Sequence, residues 1–243
     1  MLAFYSLKSG IFKLTGFTRT GLKLFILNCI ILLVATKTRN AWIACWLFFA
    51  AYGLLKEKKY LWLSLLLPPL ALLSPPILER ARDLLQGTGT NIESELNSFA
   101  WRMELWKSGL AYAKDNLVFG YGLNSFRPLS VEFFKGASAG GAPAHNTYVQ
   151  MLFEAGVIGA LLYISIFWSI LKAFFKRIKK SASRLSLECA IATAYVISYA
   201  FSCAGDNLPD YIAFNWYVWF FIGIILKAIH INYEENINHH SIV

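Results

Sequence analysis

Three polar side chains at the edges of apolar segments could do chemistry: Arg39, Arg102 and His145. A guanidinium group is planar, keeps its charge at any relevant pH and bonds two oxygens at once, which suits a phosphate or diphosphate. His145 comes just before an apolar segment, where the positive end of a helix dipole disfavours an imidazolium ion. A neutral imidazole can accept a proton, as a general base on a hydroxyl nucleophile must. These residue types predict a site for a lipid-linked phosphate or diphosphate.

Each of the three residues also has a simpler interpretation. A lone histidine at a helix start is more often a cap or a surface residue. An arginine at the end of a membrane span, such as Arg39, commonly reaches out to lipid headgroups. Arg102 could pair with Glu95 or Glu104 on a solvated helix face. The residue types alone leave both interpretations open.

Gly120, Gly122 and Glu154 complete the set of candidate residues. The two glycines are most simply turn residues, because this G-x-G lacks the third glycine and the preceding strand of a dinucleotide-binding fingerprint. Glu154 lies within an apolar segment, where an ionised acid is costly. It therefore predicts either a function or a partner such as an arginine.

The elements that must position these residues are membrane helices. The chain has 243 residues, of which 57% are hydrophobic and only 15% charged, with a mean hydropathy of +0.49. Soluble proteins carry about one quarter charged residues, so lipid is the expected solvent. A span needs about 20 mostly apolar residues. The sequence predicts an all-α, polytopic bundle of about six transmembrane helices near 21–36, 40–55, 60–78, 147–171, 187–205 and 211–229.

The distribution of charge predicts the orientation of this bundle. Lys and Arg without acids mark residues 1–23 and 172–184, and residues 56–59 are net positive, whereas the 79–146 segment carries seven basic and seven acidic residues. By the positive-inside rule, both termini are cytoplasmic and 79–146 is a large periplasmic loop. Four regions follow: 1–78 with a basic segment and spans one to three, the loop 79–146, spans four to six in 147–229, and a cytoplasmic tail 230–243. The net charge of +9 serves this orientation, and no nucleic-acid partner is expected.

The predicted loop contains short structured pieces. Residues 98–115 have helical periodicity, with Trp101, Leu105 and Tyr112 at i, i+4 and i+11, and Arg102 and Trp106 on the neighbouring face. We predict a helix at the membrane interface, with its tryptophans at headgroup depth. A glycine turn at 119–126 and a mobile strap at 134–144 follow.

The order of four motifs resembles the O-antigen ligase and polymerase superfamily of bacterial membrane proteins: TRNAW (38–42), WRMELW (101–106), FGYGLNSF (119–126) and AHNTYVQMLFEAGVIG (144–159). In that family a Ser/Thr-Arg pair follows one span. A large periplasmic loop then carries an Arg with a Trp four residues on, a G-x-G turn and a His-Asn pair before the next span. The matching residues here are Thr38-Arg39, Arg102 with Trp106, Gly120, Gly122, and His145-Asn146 followed by Tyr148, Gln150, Glu154, Gly156 and Gly159. The resemblance covers roughly residues 25 to 205.

The resemblance implies a metal-independent glycosyltransferase of the bacterial inner membrane, active in surface polysaccharide and lipopolysaccharide biosynthesis. It would transfer a glycan from undecaprenyl diphosphate to a hydroxyl of a glycan, lipid or protein acceptor at the periplasmic face. Carried over, Arg39 and Arg102 hold the diphosphate, and His145 acts on the acceptor or the leaving group. Trp106, Gly120, Gly122, Asn146 and Glu154 support them. No cofactor or metal is expected, since the lipid carrier is itself the activated donor.

Other functions stay open on the sequence alone. Ligases and polymerases share every motif quoted above. A transporter would use ionisable groups in the membrane, for which Glu154 and Glu188 are candidates, but the paired repeats typical of transporters are not evident. Members of the family have more than six spans, so the chain matches mainly their C-terminal half. We therefore expect either further helices upstream of this sequence or partner membrane subunits that supply them. A further alternative is that the chain is a non-catalytic partner of a larger enzyme.

Overall fold

The computed structural model describes residues 2–10, 13–36, 38–71, 78, 98–178 and 183–240, and within these ranges every regular element is a helix. The all-α prediction is confirmed for this part of the chain. Two short 3₁₀ turns lie at Ala113–Asn116 and Leu208–Asp210. The α-helices are α1 (Leu2–Ser9), α2 (Gly16–Ala35), α3 (Arg39–Leu55), α4 (Lys58–Ala71), α5 (Ser98–Tyr112), α6 (Phe126–Phe133), α7 (Thr147–Ile178), α8 (Arg184–Cys203) and α9 (Ile212–His240).

Four helices are long and apolar enough to cross a membrane, and they correspond to the first, fourth, fifth and sixth predicted spans. They are Gly16–Ala35, Thr147–Ile178, Arg184–Cys203 and Ile212–Asn232. α3 and α4 have 17 and 14 residues, which is short for a crossing of about 20 residues. The predicted end of span three and the first part of the predicted loop, 79–97, lie outside the described residues. The six-span count therefore stays a prediction.

Helix ends differ from the predicted bounds where polar residues extend an apolar run. α9 continues through the segment predicted as a tail and ends at His240, because INYEEN and the following residues hold no glycine or proline that would stop a helix. α2 begins five residues earlier than predicted. The hydroxyl of Thr15 accepts a hydrogen bond from the Thr18 amide at 3.2 Å and caps its first turn.

The chain divides into two compact units. Unit 1 contains Met1–Ser64, Trp168–Ser202 and Ile212–Val243; unit 2 contains Leu65–Phe167 and Cys203–Tyr211. The boundaries between the units fall within α4, within α7, at the end of α8 and at the start of α9. Each unit is therefore built from stretches that are far apart in sequence. The predicted division into loop and spans stays a prediction, since it rests on orientation.

The short helix α1 is fixed into unit 1 by an aromatic group and by charge. Phe4 is buried, and its ring packs edge-on at 5.1 to 5.8 Å against Phe48, Phe49, Tyr52 and Tyr60. Lys8 donates to both carboxylate oxygens of Glu57, at 2.5 and 2.8 Å. Tyr5 donates to Glu188 of α8 at 2.8 Å. The leading segment, which the sequence marked only as basic, is therefore a packed element of unit 1.

Unit 2 has an aromatic core under the helices of the predicted loop. Leu105 of α5, Phe126 of α6 and Phe153 of α7 are almost fully buried and pack together. Trp101 stacks edge-on against Phe134, and Trp106 also packs on this core. The helix predicted at 98–115 is confirmed as α5 and the following 3₁₀ turn. Both of its tryptophans are partly buried against the core of unit 2, and their depth at a membrane interface stays a prediction.

The prediction of a mobile strap at 134–144 is wrong, because this segment is packed and hydrogen-bonded. Ala142 and Ala144 are buried in the core. Ser130 Oγ accepts a hydrogen bond from the Ala142 amide at 2.7 Å, and Arg127 Nε donates to the Gly140 carbonyl at 3.1 Å. The composition of this segment suggested flexibility, but its small residues are needed here for close packing: a Cβ on Gly141 would lie 2.0 Å from the Arg127 carbonyl oxygen.

Candidate functional site

His145 is held in an unusual backbone conformation at the end of the packed strap. Its φ is +50°, in the left-handed region that side chains other than glycine rarely adopt. The preceding residue, Ala144, is almost fully buried, and its carbonyl accepts a hydrogen bond from Trp106 Nε1 at 2.6 Å. Such strained residues persist only where the surroundings fix them, and they are concentrated at functional sites. Trp106, predicted as a supporting residue, fixes the backbone directly before the imidazole.

Asn146, and not His145, caps the helix that follows. Its side-chain oxygen accepts hydrogen bonds from the amides of Tyr148 at 3.0 Å and Val149 at 3.2 Å, in the first turn of α7, where the helix itself supplies no acceptor. The simpler interpretation of His145 as a helix cap is therefore excluded. Asn146 therefore caps the N-terminus of α7, and the side chain of His145 is left for another role.

Residues 203–211, from the last residue of α8 to the residue before α9, bind the His145 segment and Arg102 through four contacts. The amide of Asn146 donates to Asn207 Oδ1 at 2.8 Å, and Thr147 Oγ1 donates to the Asp206 carbonyl at 3.0 Å. His145 Nδ1 lies 3.7 Å from Asp206 Oδ1. The fourth contact, from Arg102, ends on Gly205. This loop brings an acid to the histidine, which the motif analysis did not anticipate.

Asp206 is oriented by its own neighbours. Its Oδ1 accepts from the Asn207 amide at 2.8 Å and its Oδ2 from the Tyr211 hydroxyl at 3.1 Å. At 3.7 Å from Nδ1 the carboxylate is beyond direct hydrogen-bond distance, but near enough to stabilise a proton on the imidazole. A carboxylate on the Nδ1 side leaves Nε2 as the nitrogen that could accept a proton from a substrate. The sequence contains a signal for this residue: the acidic segment DNLPD (206–210) connects the fifth and sixth predicted spans, and with both termini cytoplasmic that connection is on the same side of the membrane as the 79–146 loop.

Arg102 belongs to the same group of residues in unit 2. One of its guanidinium nitrogens donates to the Gly205 carbonyl at 2.9 Å. Of the two acids that could have paired with it on a solvated face, Glu104 bonds Lys107 at 2.7 Å, and Glu95 lies outside the described residues. The structure therefore brings Arg102, His145 and Asp206 together through the 203–211 loop.

The surroundings of His145 favour its neutral form. Burial of the half-exposed ring lowers the pKa of His145 below its usual value, and the positive charge of Arg102 lowers it further, while Asp206 acts in the opposite direction. The sequence predicted a neutral imidazole from the helix dipole, and the lowered pKa of His145 agrees with that prediction in direction. The main causes of the lowered pKa are burial of the ring and the charge of Arg102. A neutral imidazole at neutral pH is the form a general base requires.

Arg39 is in unit 1, at the first position of α3, where it is partly buried. Thr38 precedes it as the N-cap residue in an extended conformation. The neighbouring Asn40 donates from its side chain to the Ser202 carbonyl at 3.1 Å. The role of Arg39 at a diphosphate stays a prediction.

Gly120 and Gly156 are needed where two backbones meet. α7 is interrupted at Gly156, whose φ of 66° and ψ of −170° are not helical. A Cβ on Gly120 would lie 2.5 Å from the Glu154 carbonyl carbon, and a Cβ on Gly156 would lie 2.1 Å from the Val118 carbonyl oxygen. Gly122 has room for a side chain but a φ of +97°. The glycines of the two motifs therefore serve a contact between the glycine turn and α7, which is more than the simple turn the sequence indicated.

Glu154 is explained by the same contact. The side chain is 3% exposed, and its Oε1 accepts from the amide of Phe126, the first residue of α6, and from Gln150 Nε2, both at 3.2 Å. A carboxylate at a helix N-terminus is favourable, since it satisfies a free amide and faces the positive end of the dipole. The sequence suggested a function or a partner such as an arginine for this acid, whereas Glu154 accepts its hydrogen bonds from a backbone amide and a glutamine.

Comparison with known families gives an independent assignment. The O-antigen ligase family model matches residues 24–164, more than half of the 243 residues of the chain. The chain belongs to the O-antigen ligase family. The match to this family includes Arg39, Arg102 and His145 and ends before Asp206. No curated protein matches the sequence.

Membership of the O-antigen ligase family, together with four long apolar helices, assigns the chain to a membrane and to glycan processing of the ligase or polymerase type. No group of three or more His, Cys, Asp or Glu side chains is placed to hold a metal ion among the described residues.

Proposed function

We propose that the chain is a membrane glycosyltransferase that moves a glycan from undecaprenyl diphosphate to an acceptor hydroxyl at the periplasmic face of the inner membrane, with both termini in the cytoplasm. The observation that carries the proposal is the geometry at His145: its backbone is left-handed at the start of an apolar helix, and its imidazole lies 3.7 Å from Asp206 in a group that also includes Arg102. Family membership supports the same class of reaction.

In the proposed reaction, His145 Nε2 accepts the proton of the acceptor hydroxyl as its oxygen attacks the anomeric carbon of the donor glycan. The bond from that carbon to the diphosphate oxygen breaks, and the electron pair leaves with undecaprenyl diphosphate. Arg102 stabilises the charge that develops on the leaving group, and the sequence motif assigns Arg39 the same role. Asp206, near Nδ1, stabilises the imidazolium ion formed in this step.

The position of the site at the beginning of α7 supports a lipid-linked donor. A diphosphate attached to a polyprenyl chain must bind where charged groups and the hydrocarbon region meet. The polar group of Arg102, His145 and Asp206 is followed along α7 by an apolar run that is long enough to span a bilayer. A guanidinium group such as that of Arg102 offers the paired donors that a diphosphate needs.

Ligase and polymerase chemistry use the same residues, so the acceptor remains a glycan, lipid or protein hydroxyl. The transporter alternative loses support, because both acids on which it depended are engaged in structural bonds. Glu154 accepts from the Phe126 amide, and Glu188 accepts from Tyr5 and from Arg184 at 2.9 Å. A non-catalytic partner of a larger enzyme is distinguished by the experiment below.

The test is transfer of a labelled glycan from undecaprenyl diphosphate in liposomes that hold the purified chain, together with complementation of a deletion strain. We expect His145→Asn and Arg102→Gln to abolish both signals while the protein inserts normally. Asparagine is chosen because it tolerates the left-handed backbone of residue 145 better than alanine does, so that loss of activity reports the imidazole. A loss of 10²-fold or more is expected for a general base.

The matched control is Lys107→Ala on the same helix as Arg102. Lys107 is exposed and pairs with Glu104, so its removal should leave activity unchanged. Normal transfer by both site variants would show that the catalytic assignment is wrong. Complementation by the wild-type chain without any transfer in liposomes would identify a non-catalytic partner.

A further inference from the structure

The interruption of α7 is filled by another segment of the chain. Residues 117–123, here called the apolar turn, pair with α7 through four backbone hydrogen bonds. The amides of Val157 and Ile158 donate to the carbonyls of Leu117 at 2.9 Å and Val118 at 3.5 Å; in return, the carbonyls of Phe153 and Glu154 accept from Tyr121 at 3.0 Å and Gly122 at 2.9 Å. A break in a helix normally leaves such groups without partners. Here the apolar turn satisfies them.

The junction lies within the part of α7 that crosses the hydrocarbon region. Lys172 is the first charged residue after the apolar run of α7, and it marks the other boundary of the span. At 1.5 Å per residue, counting about 30 Å of hydrocarbon back from Lys172 reaches about residue 152. The bonds at 153–158 are therefore at hydrocarbon depth, up to about 9 Å inside the boundary.

The side chains that the apolar turn exposes are all hydrophobic. Phe119 is 77% exposed and Leu123 is 76% exposed, and Leu117 and Val118 are also exposed. These side chains continue a surface of α7, where Val157, Ile158 and Leu161 are exposed as well. A contiguous apolar surface of this kind is unfavourable in water. On a membrane-spanning helix such a surface faces lipid.

We infer that the apolar turn is a re-entrant element inserted into the bilayer, and that Phe119 and Leu123 contact lipid acyl chains. Backbone at membrane depth needs partners within the protein for its polar groups, and four backbone groups of the turn are paired with α7, while the side chains that the turn exposes are apolar. The inference does not depend on the catalytic assignment. The inference also explains why the sequence has both the G-x-G of the apolar turn and the E-x-G of α7, since the backbones of these two segments bond each other.

The test measures the environment of single spin labels on the full chain in liposomes of phosphatidylethanolamine and phosphatidylglycerol. The labels are attached at Phe119→Cys and Leu123→Cys, in a chain whose four native cysteines are replaced by alanine. Both sites are highly exposed, so the label replaces no core packing. Collision with oxygen, which concentrates in the hydrocarbon region, is compared with collision with a water-soluble nickel chelate.

Two further labelled sites provide the references. Leu161→Cys reports the lipid-facing surface of α7, and Lys107→Cys reports water. We expect the oxygen-to-nickel collision ratio at 119 and 123 to match that at 161 and to exceed that at 107 several-fold. A ratio like that at 107 would place the apolar turn in water. Low collision rates with both agents would mean that protein covers it, and either result would overturn the inference.

Discussion

Substitution of Gly156 by alanine tests the junction between the glycine turn and α7 most directly. The added methyl group would lie 2.1 Å from the Val118 carbonyl oxygen, and the φ of +66° disfavours any side chain. An L-residue in the left-handed region costs about 1–2 kcal/mol. Relief of the steric clash requires the two segments to separate by about 1 Å, since a carbon and an oxygen in ordinary contact are about 3.3 Å apart.

Separation by that distance breaks the bonds from the amides of Val157 and Ile158 to the carbonyls of Leu117 and Val118 in the apolar turn. Each backbone hydrogen bond contributes about 0.5–1.5 kcal/mol net. The expected destabilisation is therefore about 3 kcal/mol, which corresponds to a decrease in Tm of about 6–12 °C for a chain of this length. The size of the effect depends on the clash, because strain alone would give less.

Two other glycines separate strain from steric clash. Gly122 has a φ of +97° but no atom within 4 Å of an added Cβ, so Gly122→Ala should incur only the backbone strain. Gly223 in α9 has neither constraint, and Gly223→Ala should leave Tm unchanged or raise it, since alanine is the better helix former. Thermal unfolding in one detergent, followed by near-UV circular dichroism, ranks the three variants. Equal Tm values for Gly156→Ala and Gly223→Ala would refute the close contact between the two segments.

Three further variants address the site and its support. Trp106→Phe keeps the ring but removes the N–H that fixes the residue before His145, so transfer in liposomes should fall while Tm decreases by a few degrees, as the loss of about 1 kcal/mol implies; unchanged transfer would contradict a positioning role. Glu154→Gln retains an oxygen for the Phe126 amide and should unfold near the wild-type temperature, whereas Glu154→Leu leaves that amide unsatisfied and should lose about 1–3 kcal/mol. Asp206→Asn removes the charge that raises the pKa of His145; because the neutral imidazole is the active form, the acid limb of the pH–rate profile should move to lower pH, and a shift to higher pH would reject the assignment.

The sequence predicted those features that depend on local patterns. Apolar runs identified the four long helices. A spanning helix must form all of its backbone hydrogen bonds within one segment, so it occurs in the sequence as one continuous apolar run. The periodicity of 98–115 gave α5 within three residues. The His-Asn pair identified the start of α7, since asparagine is a strong N-cap residue and an apolar run follows it.

Features that depend on contacts between distant segments were not predictable in the same way. The composition of 134–144 suggests a flexible chain, and only the packing of Ala142 and Ala144 against the core shows why small residues are used. Asp206 lies 61 residues after His145, and no local pattern relates the two. The contact of Trp106 was likewise not predictable, since its N–H donates to the Ala144 carbonyl, 38 residues further along the chain.

The same motif contains residues that hold the fold and residues assigned to the chemistry, and this affects how a loss of function should be interpreted. Glu154 and Gly156 are within the same motif as His145, but they hold the backbone of α6 and of the glycine turn. Disruptive substitutions such as Glu154→Leu and Gly156→Ala would reduce glycan assembly in a complementation assay by destabilising unit 2, and the result would resemble the loss of a catalytic group. Under the proposed mechanism, His145→Asn instead combines a normal Tm with loss of transfer, because Asn146 and Trp106 keep the local fold without the imidazole. Stability and transfer must therefore be measured on the same variants before any residue of the motif is assigned to the chemistry.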